Sequence, residues 1–355
     1  MIILEEPYVS TFLQETLDRL RIPVLRNVAI DILHVSPQLN YLSSEDFIRQ
    51  YKQFPEVPPL YSSSENALEW IAQHIPDNGL QEKIHLFKDK FQFRQLMHPL
   101  YPKFNFTKVP LVDLDGFDTT TFQFPIIVKP NIGFFSVGVY KVNTAADWKP
   151  IVSKIHQEMA NMQDIFPKSV VNSAEFIIED CIEGDEYAVD VYFDKDCQPV
   201  ILNVMKHIFA HPEDTSYRLY ITSKEIIEST HDLFHAILQE IGKTSGIQKF
   251  PMHIEFRMTS SQHDSGQQIG IIEANPMRFA GLCVTDLAYF AYGTNNYELF
   301  FNQEKPDWST ILQGKEGKIY AMIVGTIPRE LKLEDIESVD YQAFCDKLSH
   351  VMECR

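Results

Sequence analysis

The strongest constraint on this chain is an alternation that begins at Glu186. Tyr187, Val189, Val191 and Phe193 fall on one face of an extended segment, while Glu186, Asp190 and Asp194 fall on the other. The same pattern returns at Met252, Ile254, Phe256 and Met258, whose opposite face carries His253, Glu255 and Arg257. A polar connection, Thr259 to Gln268, then leads into Ile269 to Asn275. A period of two over such lengths requires a sheet with one apolar and one polar face.

The preceding part reads differently. Ile2-Ile3-Leu4, Pro23-Val24-Leu25 and the stretch Ala29 to Val35 read as short strands, and helical stripes alternate with them. Thr11 with Gln14, and Ser62 with Glu65, have capping-box spacing. Strands alternating with helices predict an open α/β layer. The chain's 14 glycines begin only at Gly79, so the glycine-rich turn of a dinucleotide-binding fold has no place after the first strand. A second unit starts near Lys83. There Asp89 and Gln92 repeat the capping spacing and put Lys90 at a helix start. A strand Phe124 to Pro130, a helix Asp147 to Met159 and a strand Phe176 to Glu179 follow. A later helix, Asp232 to Ile241, is predicted to stop at Gly242, and the last 25 residues read as an acidic helical tail.

Composition sets the outer bounds. With 31 Lys plus Arg against 49 Asp plus Glu, the formal net charge is −18, which disfavours polyanionic partners such as nucleic acid or an anionic membrane. A hydrophobic fraction of 45% is too high for a disordered chain. No basic region followed by an apolar run opens the sequence, and no stretch is apolar enough for a membrane span. The five cysteines form no CxxC pair, so reduced thiols in the cytoplasm are expected, without a disulfide framework or zinc site.

Three constellations carry chemistry. Glu273 and Asn275 are two apart and share a face. A hairpin centred near Asp264 sets Glu255 opposite Glu273. Two carboxylates and an amide oxygen suit Mg²⁺, and a cation between facing carboxylates relieves their repulsion. On spacing alone, two solvated glutamates remain the competing reading. Next, Lys129 stands before a loop, Asn131 to Val139, holding Gly133, Ser136 and Gly138. Such a loop can offer backbone N–H groups to phosphate, and it can equally be a surface hairpin. The third is the acidic run EDCIEGDE at 179–186, able to accept hydrogen bonds from an amine or from hydroxyls and equally readable as a solvated turn.

Taken together, DK at 89–90, VKPNIGFFSVGV at 128–139, EDCIEGDE at 179–186, HIEF at 253–256 and IIEANPMRFAG at 271–281 resemble the ATP-grasp superfamily in order and spacing, over roughly Asp89 to Gly293. The resemblance implies an α/β fold: an N-terminal open α/β domain (1–85), then a two-lobed grasp with ATP between its lobes. The small lobe would span 86–185, the large lobe 186–330 and a C-terminal helical tail 331–355. It implies that Lys90, with Lys88 as the competing choice, and Lys129 hold phosphates under a flap formed by Gly133, Ser136 and Gly138. Glu179, Asp180 and Ile182 would read adenine, Glu186 the ribose, and Glu255, Glu273 and Asn275 would hold Mg²⁺ or Mn²⁺. Arg278, with Lys129, would act on the transferred phosphate. Two departures stand out. Phe134-Phe135 fill a flap centre where many relatives have small residues, and Pro276-Met277 set Arg278 three residues after Asn275 rather than two.

The implied activity is an ATP- and Mg²⁺-dependent carboxylate–amine ligase, working on small molecules through an acyl phosphate and releasing ADP and phosphate. An ATP-grasp kinase and a non-catalytic ATP-binding protein are the alternatives. Relatives are often dimers. Lys206, His207, His211 and Arg218, a cationic group in an acidic chain, are candidates with Arg278 for an anionic substrate.

Overall fold

The computed structural model describes residues 1–75, 79–133, 138–162, 172–211, 219–259, 268–325 and 333–354. Ser136, Phe134, Phe135 and Arg218 therefore lie outside the described residues.

Three sheets organise the chain. The first is parallel, in the order β3-β2-β1-β4, from β1 (Ile2–Ile3), β2 (Val24–Leu25), β3 (Tyr41–Leu42) and β4 (Tyr61–Ser62). Helices α1 (Thr11–Arg19), α2 (Val28–Ile32), α3 (Ser44–Gln53) and α4 (Ala67–His74) accompany it. Then come α5 (Leu80–Lys88) and α6 (Lys90–Met97). The second sheet is antiparallel, β5-β8-β6-β7, from β5 (Phe106–Pro110), β6 (Ile126–Ile132), β7 (Tyr140–Val142) and β8 (Asn172–Asp180), with α7 (Trp148–Met162) against it. The third is a six-stranded antiparallel sheet, β13-β12-β9-β10-β11-β14. Its strands are β9 (Asp185–Phe193), β10 (Pro199–His207), β11 (Leu219–Ser223), β12 (Phe250–Met258), β13 (Ile269–Pro276) and β14 (Ile319–Ile323), with α8 (Lys224–Ser245) packed on one face.

The expected polar face of the large sheet is not open to solvent: Tyr192, Val200 and Leu202 on it are buried against the N-terminal layer, so both faces are covered, and the period of two decides which core each side chain enters. Tyr187, Val189, Val191, Phe193, Met252, Ile254, Phe256 and Met258 all enter one core with Phe234, Leu238 and Ile241 of α8. That core also takes in Ile3, Phe47, Ile71 and Phe87, so the N-terminal layer and the large sheet share buried apolar surface. The β5–β8 sheet has a core of its own, built from Val128, Trp148, Ile155, Phe176 and Ile178 among others.

Several local expectations are corrected. Ala29 to Val35 is not a strand. Ala29 and Ile30 are buried in the short helix α2, where Asn27 precedes the first turn. Ser10, not Thr11, caps α1, and Ser62 lies in β4 rather than capping a helix. The tail is helical only over Tyr341–Cys345 and a 3-10 turn at Leu333–Asp335 among the described residues. Nearly all of its described side chains face solvent, and a short helix with no packed face has little to hold it. Among the described residues no helix is long and apolar enough to cross a membrane.

Gly242 does not end α8, which runs on to a left-handed Gly246. A Cβ at Gly242 would sit 2.2 Å from the Cys197 carbonyl oxygen and 2.8 Å from Phe193 Cδ1, so the glycine lets α8 lie directly on the β9–β10 turn. Gly242→Ala is predicted to lower stability by about 1–3 kcal/mol through overpacking, read as an earlier midpoint in chemical denaturation.

Candidate active site

Helix α6 builds the first wall. Its N-cap, Asp89, accepts from the Gln92 N–H at 2.9 Å, and Asn131 Oδ1 accepts from the Phe91 N–H at 2.9 Å. Both bonds satisfy donors that a helix start leaves open, and they place Lys90 in the first turn. Lys90 and Arg94, four residues apart, leave the same helical face. Lys90 Nζ lies 3.5 Å from the Gly133 carbonyl oxygen and 3.7 Å from the Glu273 carboxylate. Burial lowers its pKa, and the nearby Glu273 charge opposes that shift. Lys88 pairs with Glu65, the carboxylate that Arg278 also reaches, and its charge is felt at both Lys90 and Glu273.

Arg94, which the sequence reading missed, holds the centre. Its Nε and Nη2 donate to the two oxygens of Glu179 at 2.7 and 3.0 Å, and Lys129 Nζ stands 2.8 Å from Glu179 Oε1. All three residues are buried. Arg94 also donates to the carbonyls of Ile271 and Ile272 on β13, at 2.5 and 2.9 Å. Burial alone would raise the Glu179 pKa, but Arg94 and Lys129 outweigh it and bring the carboxyl down to about 2. Both Glu179 oxygens are thus engaged within the protein. Next to it, Asp180 Oδ2 accepts from the Asn105 N–H at 2.8 Å. A shallow pocket shares Arg94 and Ile182 with this site, but its lining of Met97, Tyr101, Phe104 and Ile271 leaves out the facing glutamates.

Glu255 and Glu273 are direct cross-strand partners, as the hairpin symmetry predicts, and His253 faces Asn275 one step away. Asn275 Nδ2 donates to Glu273 Oε1 at 3.2 Å. Burial, then the charge of Glu273, raises the Glu255 pKa. Burial also acts upward on Glu273, yet Lys90 and Lys129 bring its pKa below the ordinary value. Among the described residues no three His, Cys, Asp or Glu side chains form a closed metal cage. Two carboxylates plus an amide oxygen nevertheless fit Mg²⁺, which completes its shell with water and substrate oxygens.

Behind Glu255 stands His253, a second residue the sequence reading did not use. Its Nδ1 is 2.8 Å from Asp190 Oδ1 and its Nε2 is 3.7 Å from Glu255 Oε1. Burial lowers its pKa, but the two carboxylates raise it to about 9, so the ring is an imidazolium at neutral pH.

Arg278 is seated by the N-terminal layer. Its Nη2 lies 2.6 Å from Glu65 Oε1 and its Nη1 donates to the Phe279 carbonyl at 2.9 Å. Met277 adopts a left-handed φ of 67°, rare for a side chain with a Cβ. Its carbonyl accepts from the Ser62 N–H at 2.8 Å, and its own N–H donates to the Pro251 carbonyl at 2.8 Å. The Phe279 N–H donates to Tyr61 Oη at 3.2 Å. β4 and the residues after it therefore fix the turn that the intervening Pro276-Met277 creates.

Glu186 is gripped at both ends, by His207 at Oε1 and by Arg257 at Oε2. Among the described residues the cationic substrate group, of which Arg218 lies outside them, is not brought together. Lys206 pairs with Asp185 at 2.6 Å and lies over the Tyr187 ring, while His207 is buried on the opposite face against Tyr220. His211 is exposed.

Glu65 and Glu179 are both held as anions near pKa 2, against an ordinary 4.5. Their stabilisation is complete above pH 4.5 and is lost as pH falls through 2. Glu179→Gln is predicted to cost about 3 kcal/mol at pH 6 by leaving two buried cations unpaired. Its deficit from wild type should narrow below pH 4 in denaturation curves.

Comparison with known proteins places this geometry. Residues 122–286 match the ATP-grasp domain. No curated protein matches the chain by sequence. Among solved structures, an L-amino acid ligase from Bacillus licheniformis superposes with a TM-score of 0.62 at 18% identity, over 92% of this chain and 80% of that one. A biotin carboxylase from Campylobacter jejuni gives 0.58 at 13% identity, over 85% and 70%. An N5-carboxyaminoimidazole ribonucleotide synthetase from Thermotoga maritima gives 0.53 at 15%, over 86% and 75%. At such identities the structural likeness concerns the fold alone, and the family match sets an ATP-grasp domain over residues 122–286 of this chain.

Proposed function

We propose that the protein is an ATP- and Mg²⁺-dependent ligase joining a carboxylate to an amine through an acyl phosphate, releasing ADP and phosphate. The observation that carries this reading is the facing pair Glu255–Glu273 with Asn275, an oxygen-only set bordered by Lys90, Lys129 and Arg278. The structural likeness to an L-amino acid ligase supports an amino-acid or peptide-like substrate. Five free cysteines suit a cytoplasmic setting.

In this reading ATP lies between the lobes, small (86–185) and large (186–330), behind the N-terminal domain (1–85) and before the tail (331–355). Lys90 and Lys129 take phosphate oxygens under the Gly133–Gly138 loop. Asn131 Nδ2, buried and without a partner among the described residues, is a further donor at the root of that loop. Asp180 and Ile182 present backbone groups to the adenine edge, with Glu179 aiming Lys129 from behind, and Glu186 takes the ribose. Glu255, Glu273 and Asn275 would hold the magnesium, which when bound supplies positive charge to the phosphate oxygens.

The chemistry needs positioning more than a protein nucleophile. A substrate carboxylate oxygen attacks the γ-phosphorus, the bond to the β-phosphate oxygen breaks, and ADP keeps the electron pair. Arg278 and Lys129 cover the charge on the transferred group. The amine then attacks the acyl carbon, phosphate leaves with its electron pair, and the amine proton passes to solvent. Lys206, His207, His211 and Arg218 are weaker candidates for substrate contact than Arg278, because those whose side chains are described do not converge.

Glu273→Gln is predicted to abolish ADP release while keeping the wild-type melting temperature within a few degrees; unchanged turnover would sink the metal assignment. Glu65→Ala should cost turnover at least tenfold by releasing Arg278, and about 3 kcal/mol of stability by leaving buried cations unpaired. A screen of amino-acid and carboxylate pairs for ADP release, run with hydroxylamine, tests the reaction class. A hydroxamate is the product of an acyl phosphate, and ADP release without one would favour a kinase.

A further inference from the structure

Asp190 stands in the middle of the large sheet, on β9, paired across to His253 on β12 and to Asn203 on β10. It is fully buried, and its neighbours on the same face, Ala188 and Tyr192, lie among apolar side chains. One of its oxygens, Oδ1, accepts twice, from His253 Nδ1 at 2.8 Å and from the Ala280 N–H at 2.8 Å. The other, Oδ2, is buried without a hydrogen-bond partner among the described residues. A buried carboxylate with one oxygen unmatched is destabilising, and an apolar side chain at this position would avoid that cost. Stability alone therefore does not explain the aspartate.

The bond to Ala280 does. The Ala280 N–H and the Phe279 carbonyl are the two ends of one peptide unit, which is planar and trans, so they point in opposite directions. The Phe279 carbonyl accepts from Arg278 Nη1 at 2.9 Å. Holding the N–H on Asp190 thus aims the carbonyl at the guanidinium. Glu65 holds the same guanidinium at Nη2, at 2.6 Å. Two fixed points orient a rigid planar group and leave its remaining N–H donors for a ligand. The charges of Glu273 and Glu255 also act on Arg278, which sets it beside the facing pair.

The same Asp190 oxygen reaches the metal side. Its other partner, His253, stands 3.7 Å from Glu255 Oε1. One buried atom therefore divides its two hydrogen bonds between the strand that carries Glu255 and the turn that carries Arg278. We propose that Asp190 is a positioning residue for phosphoryl transfer: through the Phe279–Ala280 peptide it orients the Arg278 guanidinium toward the terminal phosphate. This rests on the ATP reading above, and it adds a residue that acts only through others.

The test is equilibrium titration of the full chain with Mg²⁺ and either ADP or the β,γ-imido analogue of ATP. The proteins are wild type, Asp190→Ala, Asp190→Asn, Arg278→Met and the double variant Asp190→Ala/Arg278→Met. ADP lacks the terminal phosphate and serves as the internal reference. Asp190→Ala should weaken the imido analogue about fivefold or more relative to ADP, in keeping with a misaimed charged hydrogen bond. Asp190→Asn keeps an acceptor for the Ala280 N–H and should bring the ratio to within about twofold of wild type. Arg278→Met should show the larger relative loss. Adding Asp190→Ala to it should change the ratio by about twofold or less, because nothing is left to orient. Additive losses in the double variant, an unchanged ratio in Arg278→Met, or an alanine variant that weakens both nucleotides alike each overturn the role of Asp190. If the alanine variant does not fold, Asp190→Leu fills the space on an apolar face and gives the same readout. Failure of the wild-type chain to bind ADP at all would instead overturn the ATP reading itself, and this inference with it.

Discussion

The Glu179 carboxylate is where α6, β6 and β8 meet. Arg94 approaches from the helix and Lys129 from the adjacent strand, and none of the three is open to water. A buried charge is tolerated only when paired, so the register of β6 against β8 and the seating of α6 depend on one another. Arg94 extends this dependence to β13 through the carbonyls of Ile271 and Ile272, just before Glu273. The phosphate lysines and the facing glutamates are thus placed by one network, although they belong to different sheets.

The parts legible in the sequence are those with a local signature. The period of two separated Glu255, His253 and Arg257 from the apolar face of β12, and hairpin symmetry put Glu255 opposite Glu273 even though the pairing slips by a bulge just after it. The Asp89 cap placed Lys90. The parts that were not legible depend on partners far along the chain. Glu65 reads locally as a capping acid, and its contact with Arg278, 213 residues away, leaves no trace in spacing. Gly242 reads as a helix stop because its neighbour, the Cys197 carbonyl, is invisible from the helix sequence. Arg94 was within reach, since a residue four after Lys90 shares its face, but nothing local says that it is buried.

The N-terminal layer belongs to the site's scaffold in a direct sense. Tyr61, Ser62 and Glu65 hold three consecutive residues, Met277, Arg278 and Phe279, by backbone and side chain. A strained φ at Met277 persists only where its surroundings over-determine it, and β4 provides that constraint. The extra residue between Asn275 and Arg278 is accommodated by this seat.

The division of the apolar cores has a thermodynamic consequence. The small sheet has its own core, whereas the N-terminal layer and the large sheet share two. A small sheet with a separate core, meeting the rest through the Arg94–Glu179–Lys129 network and the Phe91–Phe106 ring contact, can open as a cooperative unit with its own free energy of opening. A molecule bound to both would add its binding energy to each unit's resistance to opening, and would turn two loosely coupled transitions into one.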